Sequence, residues 1–141
     1  MRLTNTSLFT GTLNKQEDRI NKILENHMDS DDSIRFKAFG ISFPPAFLCW
    51  LPIIGNLFIL FGMKEYIIGV TTQKVILVEV NIKNLSEKSV FELQKQDIVK
   101  IETEYEKVSI LSSKAKRFVF KEMPSIWARE LKKELEFLIN Q

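Results

Sequence analysis

The sequence is short of the residues that carry most enzyme chemistry. Its 141 residues hold one cysteine, Cys49, and one histidine, His27. That excludes an internal disulfide and leaves too few ligands for a structural zinc site. There is also almost no surplus of charge: 20 basic and 18 acidic side chains leave a formal +2, too near balance to point to nucleic acid. No glycine-rich phosphate loop, Ser/Gly linker or internal repeat is present. Residues 1–13 carry Arg2 as their only charge and have no apolar run of signal-peptide length, so secretion by a cleaved signal is not expected. What remains, 45% hydrophobic and 27% charged residues, is enough for one domain with its own core.

Charge is missing most conspicuously in one place. Residues 38–63, between Lys37 and Lys64, form a 26-residue window, AFGISFPPAFLCWLPIIGNLFILFGM, with no charged side chain. On either side the pattern is that of a folded domain. Asn14 and Glu17 have the spacing of a capping box, and Ile20, Ile23, Leu24 and Met28 recur at helical intervals, predicting an amphipathic helix over about residues 15–28. Ser33 to Ala38 alternates as a strand, with Ile34, Phe36 and Ala38 on one side and Ser33, Arg35 and Lys37 on the other.

After the window the chain reads as strands. Runs at 66–70 and 75–80 flank the polar Thr71-Thr72-Gln73-Lys74, as in a hairpin. Residues 81–88 read as a polar loop and 89–93 as a strand. Residues 98–106 alternate, with Val99, Ile101, Thr103 and Tyr105 on one face and Lys100, Glu102, Glu104 and Glu106 on the other. Two short strands follow at 108–111 and 118–120. Pro124 and Ser125 open a last helix with Trp127, Leu131, Leu135 and Leu138 on one stripe. The expected fold is therefore mostly β, a small antiparallel barrel or orthogonal sandwich with an N-terminal helix and a C-terminal capping helix. No helices alternate with the strands, which excludes parallel α/β.

Three segments carry a resemblance to the bacterial pleckstrin-homology-like domain family. Tyr66-Ile-Ile-Gly-Val-Thr-Thr-Gln-Lys-Val-Ile-Leu-Val resembles its strand, Thr-x-x-basic turn and strand. Phe91-Glu-Leu-Gln-Lys-Gln-Asp-Ile-Val-Lys-Ile resembles the step that follows, and Phe118-Val-Phe with the last helix is similar to its close. The resemblance covers about residues 30–140. It implies a seven-stranded barrel-like sandwich capped by the last helix, and a module for binding or assembly in place of an enzyme. On this reading residues 1–32 are an extension with a helix, and 33–141 are the domain, interrupted by an apolar hairpin insert at 38–63. The basic phosphoinositide pocket of eukaryotic relatives does not carry over, because its usual place is taken by the uncharged insert.

The window is long enough to cross a bilayer, since about 20 residues suffice as a helix. Thirteen of its residues are Leu, Ile or Phe, worth about −4 to −8 kcal/mol toward insertion. Pro44, Pro45 and Pro52 break helical ladders and Gly55-Asn56 is a natural turn. The window thus divides into arms at 46–51 and 57–63. If the strands before and after it share a sheet, the chain must leave and return on one side. The expected membrane or interface contacts are Phe47, Leu48, Trp50, Leu51, Ile53, Ile54, Leu57, Phe58, Ile59, Leu60 and Phe61, with Lys37 and Lys64 at the interfacial rim. The competing expectations are a single crossing and a soluble hairpin buried against the domain or a second copy.

The remaining polar residues give weaker signals. Lys114, Lys116, Arg117 and Lys121 make the one basic cluster, a candidate anionic-lipid patch or simply a solvated turn. His27 reads as a surface histidine, and Asp29, Asp31 and Asp32 lack calcium-loop spacing, with Ile34 and Gly40 where Gly and Glu are needed. Glu102, Glu104 and Glu106 could form an acid/base pair, but an exposed sheet face fits them better. No catalytic residue, metal or cofactor is expected. The partners expected are membrane lipid or a protein, a second copy of the chain included, and not nucleic acid. The expected location is the cytoplasmic face of a bacterial membrane, with the cytoplasm as alternative. Two other functions remain open at this stage: a soluble homo-oligomeric assembly protein that uses the hairpin as its interface, and a peptide-toxin immunity or resistance factor.

Overall fold

The computed structural model describes residues 17–42, 64–81, 83–113, 117–121 and 123–141. Its elements run α1 (Glu17–Glu25), β1 (Ile34–Ser42), β2 (Lys64–Thr71), β3 (Lys74–Asn81), β4 (Ser86–Gln94), a 3-10 turn (Lys95–Asp97), β5 (Ile98–Glu104), β6 (Lys107–Ser112), β7 (Arg117–Phe120) and α2 (Ser125–Ile139). The strands form two antiparallel sheets, one of β1-β2-β3-β4 and one of β5-β6-β7. Mostly β with a helix at each end is thus the observed class. The closed barrel is not: among the described residues the sheets are joined by one isolated bridge, between Ile41 and Lys121, and do not close.

Three strands of the first sheet, β1–β3, are buried on both faces. Phe36 and Ala38 pair with Val70 and Ile68 on one face, while Lys37 and Phe39 pair with Gly69 and Ile67 on the other. Two glycines admit the covering layers, one on each face. A Cβ on Gly40 would lie 2.6 Å from the Phe120 ring of β7, and one on Gly69 would lie 2.7 Å from the Leu24 side chain of α1. Double coverage explains why β1 runs on into the uncharged window as far as Ser42. A strand with no solvated face has no use for charge. The segment between β1 and β2 is therefore 43–63, and the expected arms and turn lie outside the described residues.

α1 seats Ile20 and Leu24, one turn apart, at full burial. It is shorter than the expected 15–28, because after Glu25 the chain tightens into three-residue turns, His27 N to Leu24 O and Met28 N to Glu25 O. The expected capping residue Asn14 lies outside the described residues. α2 starts directly after Pro124 and buries Trp127, Leu131, Leu135 and Leu138 as its stripe predicts. Both helices join one core with the sheets.

Three expectations about facing are corrected. Lys37, expected on a solvated side of β1, is 6% exposed because α1 lies over it. Val99 is 61% exposed, because the register slips between Ile98 and Lys100 and turns it outward. Tyr105 lies past the end of β5 in the two-residue turn to β6. β4 also begins earlier than residue 89; its polar start at Ser86-Glu87-Lys88 is exposed, as an edge strand allows.

Candidate functional site

The root of the uncharged insert is the best-defined functional feature. Ser42, the last residue of β1, is the Cα partner of Lys64, the first of β2. Both ends of 43–63 therefore meet at one end of one sheet. α1 packs on that same sheet through Leu24, so a single crossing that separates the N-terminal helix from the β-domain is excluded. Among the described residues no helix is long and apolar enough to cross a membrane. The eleven expected contact residues between Phe47 and Phe61 lie outside the described residues.

The two expected rim lysines have different surroundings. Lys64 is exposed at the root, 3.8 Å from Glu79. Lys37 points the other way, under α1, where its ammonium donates to Glu17 Oε1 at 2.5 Å and to Asn21 Oδ1 at 2.7 Å. The first of these bonds, and the lysine's charge, hold the Glu17 carboxyl below its ordinary value. Next to the root, burial and the Glu79 charge push the Tyr66 hydroxyl up to about 12, so it stays neutral. Its ring meets Phe118 and Phe120 edge-on, at 6.4 and 5.5 Å between centroids.

The basic cluster is not assembled by its described members. Lys114 and Lys116 lie outside the described residues. Arg117 is exposed and 3.4 Å from Glu102, while Lys121, at the far end of β7, donates its backbone amide to Ile41 O at 2.8 Å. Glu102 also takes Lys100 at 2.7 Å. This hydrogen bond and charge hold its carboxyl low, the reverse of what a general acid needs. The three glutamates sit on an exposed sheet edge and turn, as the sequence suggests. His27 reaches Glu87 at 2.7 Å, a surface pairing between α1's end and β4. Among the described residues no group of three or more metal-binding side chains comes together.

The Thr-x-x-basic turn has a structural role here. The Thr71 hydroxyl accepts the amides of Gln73 at 3.2 Å and Lys74 at 3.0 Å and donates to Lys74 O. Lys74 pairs with Glu92 across to β4, and this bond chiefly raises its pKa. Asp32 locks the chain before β1 to the same turn, its Oδ1 accepting from the Thr72 hydroxyl at 2.6 Å and the Thr72 amide at 3.0 Å. Burial pushes this carboxyl up, but the Thr72 and backbone hydrogen bonds outweigh it and leave it below its ordinary value.

A cleft of about 590 Å³ between α1 and β1 escaped the sequence reading. Glu17, Asn21, Glu25, Asp29 and Asp32 line it beside Lys37. Glu17 and Asn21 lie one helical turn apart and reach Lys37 from α1, a juxtaposition that no local pattern announces. At the same end of β1, Arg35 is held by Glu134 at 2.8 Å and lies 4.1 Å over the Phe137 ring, tying β1 to α2.

No family model matches the sequence, and no curated protein matches it either. Among solved structures the chain is similar to a DUF1696 family protein with a pleckstrin-homology domain from Shewanella loihica PV-4. The TM-score is 0.53 over 86% of this chain and 92% of that one, at 10% identity. The fold is therefore pleckstrin-homology-like.

Proposed function

We propose that this chain is a non-enzymatic pleckstrin-homology-like binding module, held at the cytoplasmic face of a bacterial membrane by the apolar insert at 43–63. The domain positions a surface; it performs no reaction. The observation that carries the reading is the pairing of Ser42 with Lys64. It makes the uncharged segment an excursion from one end of a folded domain. Thirteen Leu, Ile and Phe residues in the window make lipid a favourable destination. Prolines at 44, 45 and 52 favour a shallow hairpin over a spanning helix. The surface presented to a partner is the outer face of β5–β7 or the exposed side of α2, where Ile126 and Phe137 are 46% and 50% exposed.

The experiment is cell fractionation of the full chain and of a variant with 43–63 replaced by a two-residue turn joining Ser42 to Lys64. The intact chain is expected in the membrane fraction and to need detergent for monodispersity. The shortened variant is expected to be soluble, with an unchanged far-UV spectrum. An intact chain that is soluble without detergent contradicts the reading. If it is soluble as a defined oligomer that the shortened variant cannot form, the insert is instead an interface between copies.

A further inference from the structure

The root of the insert has a neighbour that the proposed anchoring leaves unused. Tyr105 occupies the two-residue turn between Glu104 and Lys107, which are ladder partners. It is 92% exposed, the most exposed large hydrophobic side chain among the described residues. Its φ is +49°, a left-handed conformation that Asn or Gly holds easily and a bulky aromatic residue holds at a cost. The turn is fixed in place, since Met123 N donates to Glu106 O at 3.0 Å. Tyr105 borders a shallow depression with Glu104, Glu106, Lys107 and Lys121. The amide of that Lys121 binds Ile41 O, one residue before the chain departs into the insert. An uncovered aromatic side chain on a strained, hydrogen-bonded turn therefore stands at the same end of the molecule as the insert's root.

We propose that Tyr105 is a second membrane contact, placing its ring at the headgroup level beside the insert and fixing the tilt of the domain on the bilayer. This rests on the membrane reading above. Tyrosine suits that depth, having an apolar ring and a hydroxyl that stays wet. The two glutamates and two lysines around the depression balance, so the contact is aromatic and does not require anionic lipid.

The test uses the full chain with vesicles of phosphatidylcholine alone and with added phosphatidylglycerol. Tyr105→Asn relieves the backbone and should raise the melting temperature. It should also weaken partition into both kinds of vesicle about five-fold. A purely structural role for Tyr105 would move the two readouts together. In a Cys49→Ala background, an environment-sensitive fluorophore on Tyr105→Cys should shift to the blue with vesicles. The same fluorophore on Ser113→Cys, in the turn that follows the other end of β6, should not. If the wild-type chain binds vesicles while Tyr105→Asn binds equally and neither label shifts, the inference is overturned and the anchor stands. If the wild-type chain ignores both kinds of vesicle, the anchor falls and this contact with it.

Discussion

The two sheets solve the same packing problem in opposite ways. β1–β3 are buried on both faces, between α1 on one side and the β7 and α2 side on the other, and read as nearly continuous apolar runs. β5 keeps one face in water, where its outward Glu102 pairs with Lys100 and with Arg117 of β7. Stability therefore concentrates in the doubly covered sheet, which is also the sheet that launches the insert. The singly covered sheet is the freer surface. The proposed anchor and the proposed presenting face of β5–β7 thus belong to different sheets, with the bridge from Ile41 to Lys121 as the seam between them.

Mutations should grade along this contrast. The largest loss is expected for Trp127→Ala, which removes the largest fully buried side chain from α2 and should cost about 3–5 kcal/mol by denaturant unfolding. Leu24→Ala should cost about 2–4 kcal/mol, because α1 is part of the core. Gly69→Ala alone should cost about 1–3 kcal/mol by crowding Leu24. Combined, the two should cost clearly less than their sum, because the added methyl then has room. Strict additivity would show that α1 does not seat on Gly69.

Smaller effects come from the polar locks. The Asp32 carboxyl titrates below its ordinary 3.8 in the folded chain. Its contribution is thus complete at neutral pH and is lost as the pH falls through the folded value. Asp32→Asn should cost about 1–2 kcal/mol at pH 7 and flatten the stability profile below about pH 4. An unchanged acid limb would mean that the bonds to Thr72 do not form in solution. At the bottom of the scale, Glu102→Gln on the open face should leave the melting temperature unchanged.

Where a segment has one periodicity and one environment, the sequence reveals it. The α2 stripe from Trp127 to Leu138 and the strands of the 66–80 hairpin are legible because burial dictates them, and the turn at Thr71–Lys74 because its polar run is held by the Thr71 hydroxyl. Facing was lost wherever a distant element intervened. Lys37 looks solvent-facing until α1 is folded over it, and nothing local announces the Glu17 and Asn21 side chains that receive it. The bulge that exposes Val99 is a register slip invisible to alternation. The start of β4 is illegible because an edge strand tolerates polar residues that read as loop. The open sandwich, whose two sheets do not close among the described residues, depends on sheet-to-sheet geometry that no single strand encodes. Of the candidate site, the uncharged window is legible, and the condition for an excursion, that the strands on either side share a sheet, is met by the Ser42–Lys64 pairing. The strained turn at Tyr105 is not legible, since the alternation of residues 98–106 continues through it as a strand would.

The claim on which the account depends is that the insert enters lipid. Its most direct test is quenching of Trp50 fluorescence by lipids brominated at different acyl depths, with Trp50→Phe giving the background from Trp127, which is 1% exposed. The account predicts strong quenching of Trp50 by shallow bromines, weaker quenching by deep ones, and none in Trp50→Phe. Emission from the wild-type chain that no brominated lipid alters would contradict it.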